Sequence, residues 1–144
     1  MAYASLALLL ERIDEQSVIS LTDDVAAGVV NGDAVDRAIA DADTEIDSYI
    51  CKRYATPVDP VPALLARLSL DLAIEILYSR RSHVETPEAA VRAAKNARVL
   101  LANIAANKAD IPGIPEANLS GTSAVGASFS AEGRIFSRPS LREM

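Results

Sequence analysis

Carboxylates are the commonest reactive groups in this chain, and their spacing limits what they can do. Asp41, Asp43, Glu45 and Asp47 cluster closely enough to invite a cation. A calcium loop would need further alternating oxygen ligands, a turn glycine and a distal glutamate, and that pattern is missing. On a helix Asp43 and Asp47 share a face while Asp41 points elsewhere, so the cluster reads as a solvated acidic face. Asp71 and Glu75 stand one helical turn apart among apolar residues, with Arg67 the i,i+4 partner expected for Asp71. That arrangement reads as a polar stripe or an intersubunit contact; a small enzyme with this pair in a pocket is the catalytic alternative. His83 is the sole histidine and Cys51 the sole cysteine, so neither a Cys/His metal set nor a persuasive Ser–His–Asp triad can be assembled. No glycine-rich phosphate loop is present. The expectation is a protein without catalytic residues, metal or cofactor.

The elements that carry these groups follow from periodicity and stop signals. Val35, Ile39, Ala42, Ile46, Ile50 and Tyr54 recur at steps of three and four, which predicts an amphipathic helix from about Asp33, its expected N-cap, to Tyr54. Thr56-Pro57-Val58-Asp59-Pro60-Val61-Pro62 cannot continue it and forms a proline clamp. Asp59 is the expected cap of the next helix, Ala63 to Arg80, whose leucines and isoleucines lie nearly all round and demand a central position. Thr86 as cap, Pro87 at the first helical position and Glu88 in the first turn predict a further helix to about Lys108, with Ala90, Ala94, Ala97, Leu101 and Ile104 inward. Upstream, Ser5 caps a short helix to about Ile13, Asp14 caps another through Leu21, and residues 22–32 form a loop. Tyr49 and Tyr54 are expected to cover the proline clamp.

Half the chain is apolar but only 4% is aromatic, which favours close helix packing. The fold class is therefore all-α: a bundle of four to five helices over residues 1–110, with an extended C-terminal arm over 111–144 that has room for a short strand or hairpin. Residues 1–60 hold 4 basic and 12 acidic side chains, net −8, while the remainder is net +2. That balance disfavours a phosphate-gripping face; ordinary solvated faces are its default reading, and head-to-tail docking of identical copies is the alternative. A lone cysteine fits a reducing compartment. No secretory leader is read at Met1–Leu10, and Arg67, Asp71 and Glu75 interrupt the greasiest segment, so no membrane association is expected.

Asn118 to Ser130 is rich in Ser, Gly and Ala and should form no core of its own. Yet the arm holds Phe129, Ile135, Phe136 and Leu141, including both phenylalanines of the chain. Ordering a segment this long for so few anchors is close to break-even, and becomes favourable if a neighbouring copy supplies a groove at high local concentration; a frayed tail with incidental hydrophobes is the alternative.

Several short motifs occur in a telling order. They are Met1-Ala2-Tyr3-Ala4 with Leu6, Leu21-Thr22-Asp23, Ala40-Asp41-Ala42 with Glu45-Ile46-Asp47 and Tyr49, Arg53-Tyr54 with Pro57, and Pro62 with Leu64-Leu65. Together they resemble the Mu-like branch of small tailed-phage head–tail connector proteins, also called adaptor or head-completion proteins. Arg134-Ile135-Phe136-Ser137-Arg138 with Leu141 resembles that family's tail signature. Members often have an Asp/Gly-rich loop where this chain has Asp23 to Gly32; the departure leaves no expectation of an ion there.

The resemblance implies a non-enzymatic virion protein of the neck, assembled in the host cytoplasm. Such adaptors are mainly helical and form a ring of about twelve copies below the portal protein, a closed heterologous assembly. They extend the DNA channel and receive the next connector or tail-terminator protein. On this reading Phe129, Arg134, Ile135, Phe136, Arg138 and Leu141 are the interface anchors of the arm. Asp36, Asp43 and Asp47 are the candidate channel face, repelling phosphates so that DNA slides through without specific binding. The alternative is a small dimeric helical scaffolding or regulatory protein whose C-terminus is a docking peptide.

Overall fold

Two of the expected caps open the chain in the computed structural model, which describes residues 2–117. The Ser5 hydroxyl accepts the Leu8 N–H and starts α1, Leu6–Leu10. The Asp14 carboxylate accepts the Ser17 N–H at 2.9 Å and starts α2, Glu15–Thr22. Helix α3 spans Gly32–Ile50, α4 spans Ala63–Ser79 and α5 spans Glu88–Ala105. The described residues are thus all-α, with five helices and no strand.

Three caps differ from the sequence expectation. Asn31, not Asp33, caps α3: its backbone is extended, its side chain accepts the Ala34 N–H, and Asp33 falls in the first turn. Asp59 does not cap α4, which begins after Pro62 with no side-chain cap at all. The prolines explain this, since a residue before proline is pushed out of the helical region and Val61 cannot start a helix. Pro87 likewise takes the cap position of α5, leaving Thr86 outside it. Helix α3 also stops at Ile50 rather than Tyr54, because the Arg53 and Tyr54 N–H groups both turn back onto the Ile50 carbonyl.

The predicted inner stripe of α3 is buried from Val35 through Ile50, and Tyr54 joins it beyond the helix end. Helix α4 packs against α1, α2, α3 and α5, as its all-round apolarity demands. Ala94, Ala97, Leu101 and Ile104 of α5 close the core from the other side; Ala90 is only half-buried. Each large core side chain contributes about 1.5–3 kcal/mol by leaving water. Among the described residues no helix is long and apolar enough to cross a membrane.

Residues 111–117, placed by sequence with the arm, lie against the helical domain. The Ile111 side chain is buried and its N–H donates to the Tyr54 hydroxyl at 3.1 Å. The Ala117 N–H donates to the Arg53 carbonyl at 2.8 Å.

Candidate functional site

The candidate acidic face is brought together on one groove, but its members have different tasks. Asp36, Asp43 and Asp47 sit at steps of seven and four on α3, so they stack along one line of the helix. With Ala2, Ile39, Ala40, Thr44 and Pro57 they line a groove of about 610 Å³. Asp36 is exposed and Asp47 half-buried.

Asp43 is buried at 7% exposure, which overturns its reading as a solvated carboxylate. One oxygen accepts the Tyr3 N–H at 2.8 Å and the other accepts the Ser69 hydroxyl at 2.5 Å. The side chain thus ties the N-terminal segment to α3 and α4. Burial raises its pKa above the ordinary carboxylate value, and the nearby Asp47 charge adds to this; the hydrogen bonds from Ser69 and Tyr3 act against it.

Tyr3 is the second member of the same cluster. Its hydroxyl donates to the Asp47 carboxylate and accepts the Val58 N–H at 3.0 Å. Burial and the bond to Asp47 push its phenol well above the usual tyrosine range. Val58 lies inside the proline clamp, so Tyr3 fastens the clamp, whereas the Tyr54 hydroxyl serves Ile111 instead. The clamp contains two cis peptide bonds, Thr56–Pro57 and Asp59–Pro60.

The other candidate acids are committed to arginines. Asp71 pairs with Arg12 at 2.7 Å rather than with Arg67, and Glu75 pairs with Arg98 at 2.7 Å. Arg98 also holds Glu45 at 2.6 Å, so one guanidinium bridges α3, α4 and α5. The two carboxylates that could have formed an acid–base pair each neutralise a different cation instead. Asp23 accepts the N–H groups of Val25, Ala27 and Gly28, which lower its pKa. Asp24 pairs with Arg80 and Arg81, which also reach the Leu21 carbonyl. These contacts brace the 22–32 loop. His83 and Cys51 are exposed, and among the described residues no cluster of His, Cys, Asp and Glu could hold a metal ion.

Arg53 is the residue that periodicity could not flag. It donates to the Ile104 and Ala109 carbonyls at 2.6 and 3.0 Å and pairs with Asp110 and Glu116. Its head also lies 5.3 Å from the Tyr54 ring centroid. Phe129, Arg134, Ile135, Phe136, Arg138 and Leu141 lie outside the described residues.

A family model described as "Bacteriophage Mu, Gp36" matches residues 3–130, which takes in every described helix. No curated protein matches the chain.

Proposed function

This chain belongs to the Bacteriophage Mu, Gp36 family, a phage structural or morphogenesis protein by that membership, and we propose that it is a head–tail connector (adaptor) protein. In this reading about twelve copies close a ring below the portal protein through one repeated heterologous contact. The ring extends the DNA channel and docks the next neck or tail-terminator protein, in the virion neck and without catalysis.

The observation that carries the reading is the family match across the whole helical domain. The distribution of charge supports it. Arg12, Arg53, Arg80, Arg81 and Arg98 are all bound to carboxylates within the domain. Asp33 and Asp36, at the start of α3, are exposed and enter none of the ion pairs among the described residues. Arg37, Lys52, Arg67, Lys95 and Lys108 are exposed outside those pairs, so the support lies in the overall balance of residues 1–60, 12 acidic against 4 basic side chains, which disfavours retention of a phosphate backbone.

Negative-stain imaging with light scattering, with and without the portal protein, tests this. An annulus is expected; a dimer under every condition would overturn the connector reading and return the scaffolding alternative.

A further inference from the structure

A second groove, of about 370 Å³, lies where the start of α2 meets the C-terminal half of α4 and the first turns of α5. Its apolar lining includes Ile13, Ile74, Tyr78, Pro87, Ala90 and Ala93. The alanines leave a shallow floor with space over it, and Asp14 and the Arg12–Asp71 pair form the rim. The site is an apolar trough whose edge carries one carboxylate, Asp14, beside the neutralised Arg12–Asp71 pair, with the exposed Glu11 and Glu15 next to it in sequence; it suits a large apolar side chain flanked by cations.

Residues 118–144 contain such a segment. The described domain has no phenylalanine, whereas Phe136 stands between Arg134 and Arg138 with Ile135 beside it. We infer that this trough receives the Phe129–Leu141 segment of a second copy of the chain, with Phe136 over the alanine floor and Arg134 and Arg138 toward the rim at Asp14. The inference rests on the ring reading proposed above and names the contact that repeats around it.

The chain's exit and the trough lie at opposite ends of α5, which gives each copy a donor end and an acceptor end. Ala117 is held by Arg53, which binds the Ile104 carbonyl at the C-terminal end of α5. The trough lies at the N-terminal end, about 20 Å away along a helix rising 1.5 Å per residue. Each copy therefore presents its exit at one end of α5 and its trough at the other, the polarity that a head-to-tail ring requires. Residues 118–128 can span about 36 Å when extended, enough to reach a neighbour's trough or the chain's own, and the trapping experiment separates the two.

Disulfide trapping in a Cys51→Ser background tests the contact. Ala89→Cys marks the exposed lip of the trough, and Ser137→Cys marks the arm without removing Phe136. Full-length chains would be oxidised with and without the portal protein, and each sample imaged for an annulus. The double variant should give a ladder of linked multimers, and a mixture of the two single variants should give linked pairs. A double variant that closes only within its own monomer would overturn the neighbour as donor. An annulus with no linkage in either sample would overturn the trough as the docking site while leaving the connector reading intact. A ladder without any annulus would keep the contact and sink the connector.

Discussion

Asp43 shows how a single side chain can look functional in sequence and prove structural in three dimensions. Both its oxygens are taken, by the Tyr3 N–H and the Ser69 hydroxyl, at a largely buried position on the groove wall. Truncation to alanine strands two buried donors, each worth about 1–3 kcal/mol when left without a partner. Asp43→Ala should therefore lose about 2–6 kcal/mol in chemical denaturation. The pH dependence has a definite sign. A carboxyl whose pKa is raised on folding binds its proton more tightly in the native state, so its contribution worsens as pH rises from about 4, the unfolded carboxylate value. Wild type should thus gain stability relative to Asp43→Asn as pH falls from neutrality toward 4; a flat difference would show that Asp43 is not held at a raised pKa. Tyr3→Phe removes the acceptor of the Val58 N–H and the donor to Asp47. It should destabilise by about 1–3 kcal/mol and raise amide exchange at Val58 before the helices are affected.

At the scale of elements, Arg53 joins three pieces of chain: the end of α3, the end of α5 and the segment through Glu116. Arg53→Ala should lift exchange protection from residues 106–117 while α3 and α4 keep theirs, and Arg53→Lys should fail to restore it, because one ammonium cannot reproduce a planar fork shared among carbonyls and carboxylates. The helices themselves were legible in sequence because the stripe from Val35 to Ile50 and the all-round apolarity of Ala63–Ser79 are local patterns. Caps beside proline were misread, since Asp59 and Thr86 have the right chemistry but the wrong position relative to Pro62 and Pro87. The ties that fix one element on another were not legible at all. Tyr3 meets Asp43 across forty residues of sequence, and Arg98 reaches Glu45 and Glu75 on two other helices. Spacing carries no record of such contacts. Motif order did: Tyr3, Asp47, Arg53 and Tyr54, all part of the pattern that resembled connector proteins, are residues that fasten the ends of this bundle.

For the whole molecule, the question is which surface faces DNA. Asp43 lies inside the fold and Asp47 receives the Tyr3 hydroxyl, so neutralising Asp36, Asp43 and Asp47 together would confound stability with charge. Asp33 and Asp36 carry no such burden: both are exposed, and their helix keeps its Asn31 cap. Asp33→Asn with Asp36→Asn should cost no more than about 1 kcal/mol, the favourable interaction of a first-turn carboxylate with the helix dipole that Asp33 gives up. It removes two negative charges from every copy, a change that a ring multiplies around its axis. If α3 lines the channel, particles built with this variant should assemble in normal yield and bear normal tails, yet release their DNA more slowly because the wall no longer repels the phosphates. The slowing should shrink as salt is raised, since screening weakens wild-type repulsion toward the level of the variant. Unchanged release at low salt would place these carboxylates on the outer wall of the ring and assign the channel to another face.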